Sequence, residues 1–334
     1  MKTACSSFLA VALAACGPAA PRMALDHATP LRLQVRVEQR VELELTSHEV
    51  RSDGVLRELA DDPTGLRVES ADTLEFVDER LALASGRIQT LVRSYARLEG
   101  SKHQSRLTLH GSLDVDERVK SSPFAGARVR FERRGELFER ALAEPAAPSG
   151  AERELVLDGL EPDCDFAALL PRAPVEPSHR WRVHARELAP LLHPGGDLEL
   201  AAAEDDQAAR QSAAQLRRNL DGEIEVIYWG LREFAGARLG VFQLRGTARS
   251  HALTTRPGES ASSEQRHELV RELDGELLWQ LDEGRAHAAR LDARWNWTVV
   301  RVERGDEGVV PRVVERRSQF TGQSLTRIEF ARLP

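Results

Sequence analysis

From residue 31 the chain alternates. Leu31, Leu33, Val35, Val37, Val41, Leu43 and Leu45 fall on one parity, broken only by Gln39. The other parity is Arg32, Gln34, Arg36, Glu38, Arg40, Glu42 and Glu44. A period of two over such a stretch predicts a long β-strand with one dry and one wet face. At ~3.3 Å per residue it runs about 50 Å, well beyond an ordinary strand. A strand of that length belongs in a large, strongly twisted antiparallel sheet.

The rest of the chain supplies partners. Residues 74–98 fit two strands turning near Ser85-Gly86, with a helix carrying Leu74, Val77, Leu81, Leu91 and Tyr95 as the alternative. Leu107 to Val115 alternates again, and Val129-Arg130-Phe131 leads to a turn at Arg134-Gly135. Ala141–Gly150 reads as a loop and as the seam between two β halves, 31–150 and 151–334. In 158–196 prolines 162, 171, 174, 177 and 190 predict irregular chain, with a helical turn or two over Arg186–Leu192. Ala201–Leu220 is the one clear helix: Ala209, Ala213, Leu216 and Leu220 form a stripe. Glu204, Asp205 and Asp206 near its start and Arg217 and Arg218 near its end suit the helix dipole, which explains the acidic trio better than a metal site does. Strands follow to the end. His287 to Val299 holds Trp295 and Trp297 on one face, where they read as core anchors rather than a ligand platform. The change of parity at Val300 and Val302 predicts a bulge near Val299, Gly305–Gly308 a turn, and Val313–Phe330 one or two closing strands. The expected fold is mainly β with minor α: large twisted antiparallel sheets from two similar halves.

The similarity of the halves rests on a repeat. Phe-Ala-Gly-Ala-Arg occurs at 124–128 and again at 234–238, each followed by a strand-like run and an Arg-Gly pair. Gly111–Val115 matches Gly222–Val226 upstream, and Glu154-Leu155-Val156 matches Glu268-Leu269-Val270 downstream. Phe124 and Phe234 are then expected as equivalent core residues, each beside a glycine that turns the chain.

The first 15 residues form a signal peptide: Lys2, the apolar run Phe8–Leu13, then small residues. They end Leu13-Ala14-Ala15-Cys16, which resembles the lipobox of bacterial lipoproteins. The resemblance implies cleavage before Cys16, lipidation of that residue and, with Gly17 following, an outer-membrane lipoprotein facing the periplasm or the cell surface. Cleavage as an ordinary secreted protein after Ala12-Leu13-Ala14 is the alternative. Residues 16–30 would then be a lipidated tether, rich in Ala and Pro. Of three cysteines, Cys5 leaves with the signal peptide and Cys16 is acylated, so Cys164 stands alone between two acids, a poor setting for a nucleophile.

Composition narrows the function. A net charge of −7 leaves no basic excess for nucleic acid. Aromatic content of 5% is low for sugar or single-strand platforms. His267-Glu268-Leu269-Val270 begins as the zinc-protease motif does, but Arg271 holds the second histidine position and cannot ligate zinc. Gly258–Ser262 lacks the last glycine of a nucleophile elbow. No phosphate loop, dinucleotide fingerprint or Cys-x-x-Cys is present. Asp163, Asp165, His179 and His184 are the remaining polar cluster, yet a five-residue spacing sets the two histidines on opposite faces of a strand. No catalytic, cofactor-binding or metal residue is assigned, and lipid attachment at Cys16 is the one site.

Leu160 through Leu169-Leu170-Pro171 to Trp181 and Leu191 resembles a segment of uncharacterised bacterial envelope proteins, which have no activity to transfer. By fold analogy the large curved sheet is similar to the half-barrel of periplasmic lipoprotein carriers. The resulting expectation is a non-enzymatic envelope lipoprotein, membrane-held by its lipid, binding an apolar ligand or an envelope protein. Its concave apolar face would be covered by the 201–220 helix or the Pro-rich segment. The alternatives are an envelope hydrolase using the Asp163–His184 region, or a scaffold component.

Overall fold

The computed structural model describes residues 23, 30–59, 63–84, 87–108, 111–135, 137–144, 157–162, 166–202, 207–257, 261–307 and 310–334. They form one antiparallel sheet. β1 (Leu31–Ser52) and β14 (Val310–Arg332) lie at its centre. On one side follow β3 (Leu66–Ala84), β4 (Arg87–Thr108), β6 (Arg128–Arg134) and β7 (Leu137–Glu144). On the other follow β13 (Arg285–Glu307), β12 (Ala261–Gln280), β11 (Ala237–Pro257), β10 (Leu220–Phe234) and β8 (Arg180–His184). Three short additions hang on these: β2 (Val55–Arg57) on β1, β5 (Gly111–Ser121) on β4, and β9 (Ala201–Ala202) on β5. The two wings share one sheet and one core, because β1 and β14 pair along nearly their whole length, from Leu33↔Arg332 to Ser52↔Val314.

The alternation of β1 decides its faces. Leu31, Leu33, Val35 and Val37 are buried while Arg32, Gln34 and Arg36 are exposed. The strand extends seven residues beyond the stripe that predicted it, with a bulge between Leu45 and Ser47. The region 74–98 is two strands, β3 and β4, as the turn signal indicated.

Eleven strands at ~4.8 Å would span about 50 Å if flat. Yet one connection, 157–198, touches strands across that whole width. Arg140 of β7 donates to the Leu160 carbonyl at 2.7 Å, and Arg93 of β4 to those of Glu161 and Pro162 at 2.9 and 3.0 Å. Gln39 of β1 donates to Leu192 at 3.1 Å, Phe166 packs edge-on against Phe330 of β14, and Arg186 donates to Leu220 of β10 at 3.2 Å. The sheet therefore curls around this segment. Its prolines do keep it irregular: two short 3-10 turns, Ala167–Leu169 and Ala185–Leu188, and the single turn α1 (Ala189–Leu192). Phe166, Leu169, Leu188 and Leu191 are fully buried against β-strand residues such as Phe76, Phe131, Phe242 and Trp279.

One ion pair fastens this plug. Arg93 Nε and Nη2 donate to Asp78 Oδ1 and Oδ2 at 2.7 and 2.9 Å, both residues buried, and the guanidinium lies 4.2 Å from the Phe76 ring centroid. The same group donates to the plug carbonyls named above, so β3, β4 and the plug meet at one buried cation that makes four hydrogen bonds.

Several sequence expectations are corrected. Leu107 to Val115 is the end of β4 and the start of β5, the run being interrupted between Thr108 and Gly111. Of the expected loop at 141–150, residues 141–144 are strand instead, because β7 continues through Glu144 in pairing with β6; 145–150 lie outside the described residues. The helix is shorter than 201–220. It spans α2 (Gln207–Arg218), Ala201-Ala202 pairs with β5, and Leu220 already opens β10. The acidic trio 204–206 lies outside the described residues. No bulge occurs at Val299, since β12 and β13 stay in register there. The irregularity lies at His287, opposite Leu278 and Trp279. Val300 and Val302 sit on the outer face of an unbroken strand. Gly305, Asp306 and Glu307 continue β13 rather than turning, Gly308 lies outside the described residues, and β14 is one strand.

The repeat does not mark equivalent sites. Phe124 is buried and packs on Tyr95 at 6.0 Å, in a reversal between two strands that both pair with β4. Phe234 is 60% exposed at a two-residue hairpin. What the copies share is the left-handed glycine, φ 79° at Gly126 and 80° at Gly236. Nor is 16–30 all free tether: Met23 is buried in the core, its Sδ 3.5 Å from where a Cβ on Gly240 would stand.

Candidate functional site

Inward-facing positions change character halfway along the sheet. On β14 Phe330 and Ile328 give way to Thr326 and Ser324, and on β11 Phe242, Leu244 and Ala248 to Ser250 and Thr254. On β12 Trp279, Leu277 and Leu273 give way to Arg271 and, beyond Leu269, to His267, Gln265 and Ser263. On β1 the break in the stripe, Gln39, falls at this boundary. It donates to Thr326 Oγ1 at 3.2 Å as well as to Leu192.

Helix α2 lies over the polar half. β10 starts only opposite Ser250, leaving the edge of β11 beyond it unpaired. The helix takes that edge: Leu253 N–H donates to Gln215 Oε1 at 2.8 Å, and Asn219 Nδ2 donates to the His251 carbonyl at 3.0 Å. Its small residues then roof a cavity of about 340 Å³. Ala209, Ser212, Ala213 and Leu216 line it from the helix, Thr254, Ser263, Gln265, His267, Trp297 and Arg301 from the sheet. Three of the four stripe residues named from sequence are thus pocket wall rather than core contact.

The floor carries unused hydrogen-bonding capacity. His267 is buried, stacked 5.6 Å from Trp297 at 21° between ring planes, and neither ring nitrogen has a partner. Trp297 Nε1 is likewise buried and unpartnered. Burial holds the His267 pKa below the usual histidine value, so the ring is neutral at pH 7 and offers one donor and one acceptor. Trp297 also packs on Phe320 at 5.2 Å. Buried polar atoms are normally bonded. Three unpartnered atoms on one floor mark a place where a ligand gains more than an apolar fit.

Four residues deeper on the same face, Arg271 is 3% exposed, with its guanidinium carbon 4.7 Å from the Trp295 ring centroid. Its Nε and Nη1 have no hydrogen-bond partner, and burial pushes its pKa down to about 10. His193, at the end of α1, is held well below the histidine range by burial, with Arg271 and Arg217 adding to the effect. Trp295 packs against the core and donates to Ser324 Oγ at 2.8 Å. Of the two tryptophans read as anchors, Trp295 is one, whereas Trp297 belongs to the pocket.

The residues singled out for chemistry do not assemble. Asp163, Cys164, Asp165 and the lipobox with Cys16 lie outside the described residues. His179 stacks on Trp181 at 5.9 Å. His184 accepts from the Arg186 N–H at 3.2 Å and sets Nε2 3.2 Å from Asp221, so the two histidines serve different neighbours. Among the described residues no group of three His, Cys, Asp or Glu could hold a metal ion. His267 and Arg271, set aside as a failed zinc motif, are the buried polar pair. On a strand, positions four apart share a face, and the parity of Leu269, Leu273 and Leu277 marks that face as the inner one.

No family model and no curated protein matches the chain. Among solved structures it is similar at 7% identity and a TM-score of 0.22 to OccK7 (OpdD) of Pseudomonas aeruginosa, over 91% of this chain and 100% of that one. An outer membrane channel of Pseudomonas putida F1 gives 9% and 0.22, over 91% and 97%. OprB of Pseudomonas putida gives 8% and 0.19, over 89% and 94%. Scores this low carry neither fold nor function to this chain.

Proposed function

We propose that the chain is an envelope lipoprotein anchored through Cys16 whose body binds a small molecule without transforming it. The observation that carries the binding reading is the pocket beneath α2, with neutral, unpartnered His267 and the unpartnered Trp297 indole on its floor. About 340 Å³ is at the small end of ligand sites. It suits one ring system bearing a hydrogen-bond acceptor and donor rather than the acyl chains of a lipid. The sorting address rests on Leu13-Ala14-Ala15-Cys16-Gly17. The exterior is consistent with a body held beside a bilayer, not in it. Outward positions carry ion pairs such as Arg290–Asp292 at 2.8 Å and Arg182–Glu223 at 3.0 Å, where a lipid-facing barrel needs an apolar band. Among the described residues no helix is long and apolar enough to cross a membrane.

Native mass spectrometry of the purified protein should find a small adduct that is absent from Trp297→Ala. In titrations with 1-anilinonaphthalene-8-sulfonate, Trp297→Ala and His267→Leu should each weaken binding. Probe affinity unchanged in both variants, with no adduct on the parent, overturns the reading.

A further inference from the structure

The antiparallel strands fix which connections share an end of the molecule. Leu31, Arg332, the β3–β4 connection, the Arg134–Leu137 hairpin, the Phe234–Ala237 hairpin and the Gln280–Arg285 turn all lie at one rim. Leu333 N–H donates to the Arg32 carbonyl there at 3.0 Å. Met23 is buried at the same rim beside Gly240, which pairs with Leu231 on one side and Trp279 on the other.

We propose that this rim rests on the bilayer surface, with Trp229, Leu231 and Phe234 of the β10–β11 hairpin and Leu137 of the β6–β7 hairpin seated among the lipid headgroups. The proposal rests on the reading of Cys16 as the lipidated residue. Met23 follows Cys16 by seven residue steps, a reach of at most about 25 Å even fully extended. A lipid on Cys16 therefore holds this end, and no other, next to the membrane. The surface suits that place: Trp229 is 53% exposed, Leu231 50%, Phe234 60% and Leu137 76%. At the opposite rim the exposed large apolar residues, Val55, Leu56, Leu113 and Val313, are aliphatic. Tryptophan and phenylalanine are the side chains that gain from a headgroup layer. The neighbouring charges are balanced, Arg238 with Asp282 and Arg134 with Glu132 and Glu139, so contact depends little on anionic lipid or salt. The ligand pocket lies in the other half of the body, away from the lipid.

The test uses the mature protein purified with its modification and reconstituted into phosphatidylethanolamine–phosphatidylglycerol vesicles. Intact-mass measurement first establishes whether Cys16 is acylated. A lipid carrying a headgroup nitroxide then quenches tryptophan emission in the parent and in Trp229→Phe. An acylated protein whose quenching is mostly lost in Trp229→Phe supports the proposal, since Trp279, Trp295 and Trp297 lie within the body and the partly buried Trp181 packs edge-on against Phe242 of the core. An acylated protein quenched equally in both, or in neither, overturns the rim contact and leaves the anchor standing. A protein without acylation at Cys16 overturns both. Leu231→Asp with Phe234→Asp gives a second measurement: headgroup quenching of Trp229 should fall while the far-ultraviolet circular dichroism stays that of the parent, and unchanged quenching also overturns the contact.

Discussion

The two halves of the interior are built from the same strands and behave as different materials. Toward the rim of Leu31, inward residues of β1, β3, β4 and β10–β14 close on Phe166, Leu169, Leu188 and Leu191 of the connecting segment, with buried polar groups such as the Arg93–Asp78 pair set among them. Toward the other end the same strands turn Thr326, Arg271, Ser250, His267 and Thr254 inward, and a helix of small residues spans a cavity instead of filling it. A close-packed core needs large interlocking side chains. The difference shows that one sheet can close-pack one end and leave a polar-lined cavity at the other by changing a single parity of its strands.

If that division holds, substitutions of the same chemistry should have different effects in the two halves. Trp279 is fully buried in the packed end. Trp279→Ala should lower unfolding free energy by about 3–5 kcal/mol in urea melts, whereas Trp297→Ala should cost about 1 kcal/mol or less and act on ligand binding. Equal losses would erase the distinction. Asp78→Ala leaves Arg93 buried without its carboxylate and should cost about 3–5 kcal/mol, read the same way. A loss below about 1 kcal/mol would mean that the plug is not fastened there.

Next comes the seam between the wings. A Cβ on Gly322 would stand 1.9 Å from the Glu42 carbonyl oxygen, so Gly322→Ala must push β14 off β1, at about 1–3 kcal/mol. A smaller effect follows from the polar end through pH. With its folded pKa lowered, His267 binds a proton more readily when unfolded. Its contribution is therefore complete above the unfolded value of about 6.5 and is lost as pH falls below it. His267→Phe should flatten the decline in melting temperature between pH 7 and 5, leaving the parts due to His193 and His287, which are shifted in the same direction. The smallest effect belongs to the outer face. Asp292→Ala removes the exposed partner of Arg290 and should change stability by less than about 0.5 kcal/mol.

Much of this was legible where a pattern is local. The stripe 31–45, the break signal between Ala84 and Arg87 that divides β3 from β4, and the prolines of 158–196 each act on backbone geometry by themselves. Two errors came from reading local preference where tertiary contacts decide. Ala201-Ala202 has high helix propensity but pairs with β5, and Gly305 looks like a turn but lies inside a ladder. Val300 and Val302 suggested a bulge because valine outside was not expected, although much of any protein surface is apolar. The two phenylalanines of the repeat show that five identical residues do not fix burial. The pocket was half visible: the helix stripe was seen, and Gln39 stood out as a break. His267 and Arg271 were weighed as motif letters rather than as polar residues on a buried parity.

The central pairing of β1 with β14 has a consequence for biogenesis. The first strand of the body to be made finds one lateral partner soon, in β3, and must wait for the other until nearly three hundred more residues have followed, since Leu33 pairs with Arg332. Such non-local closure slows folding, and until it happens β1 and β13 present open edges of some twenty residues that can template aggregation. Newly made chains should therefore depend on holding chaperones more heavily than a protein of this size with sequential strand order. Chains truncated before Val310 should accumulate as protease-sensitive material rather than as a smaller folded body.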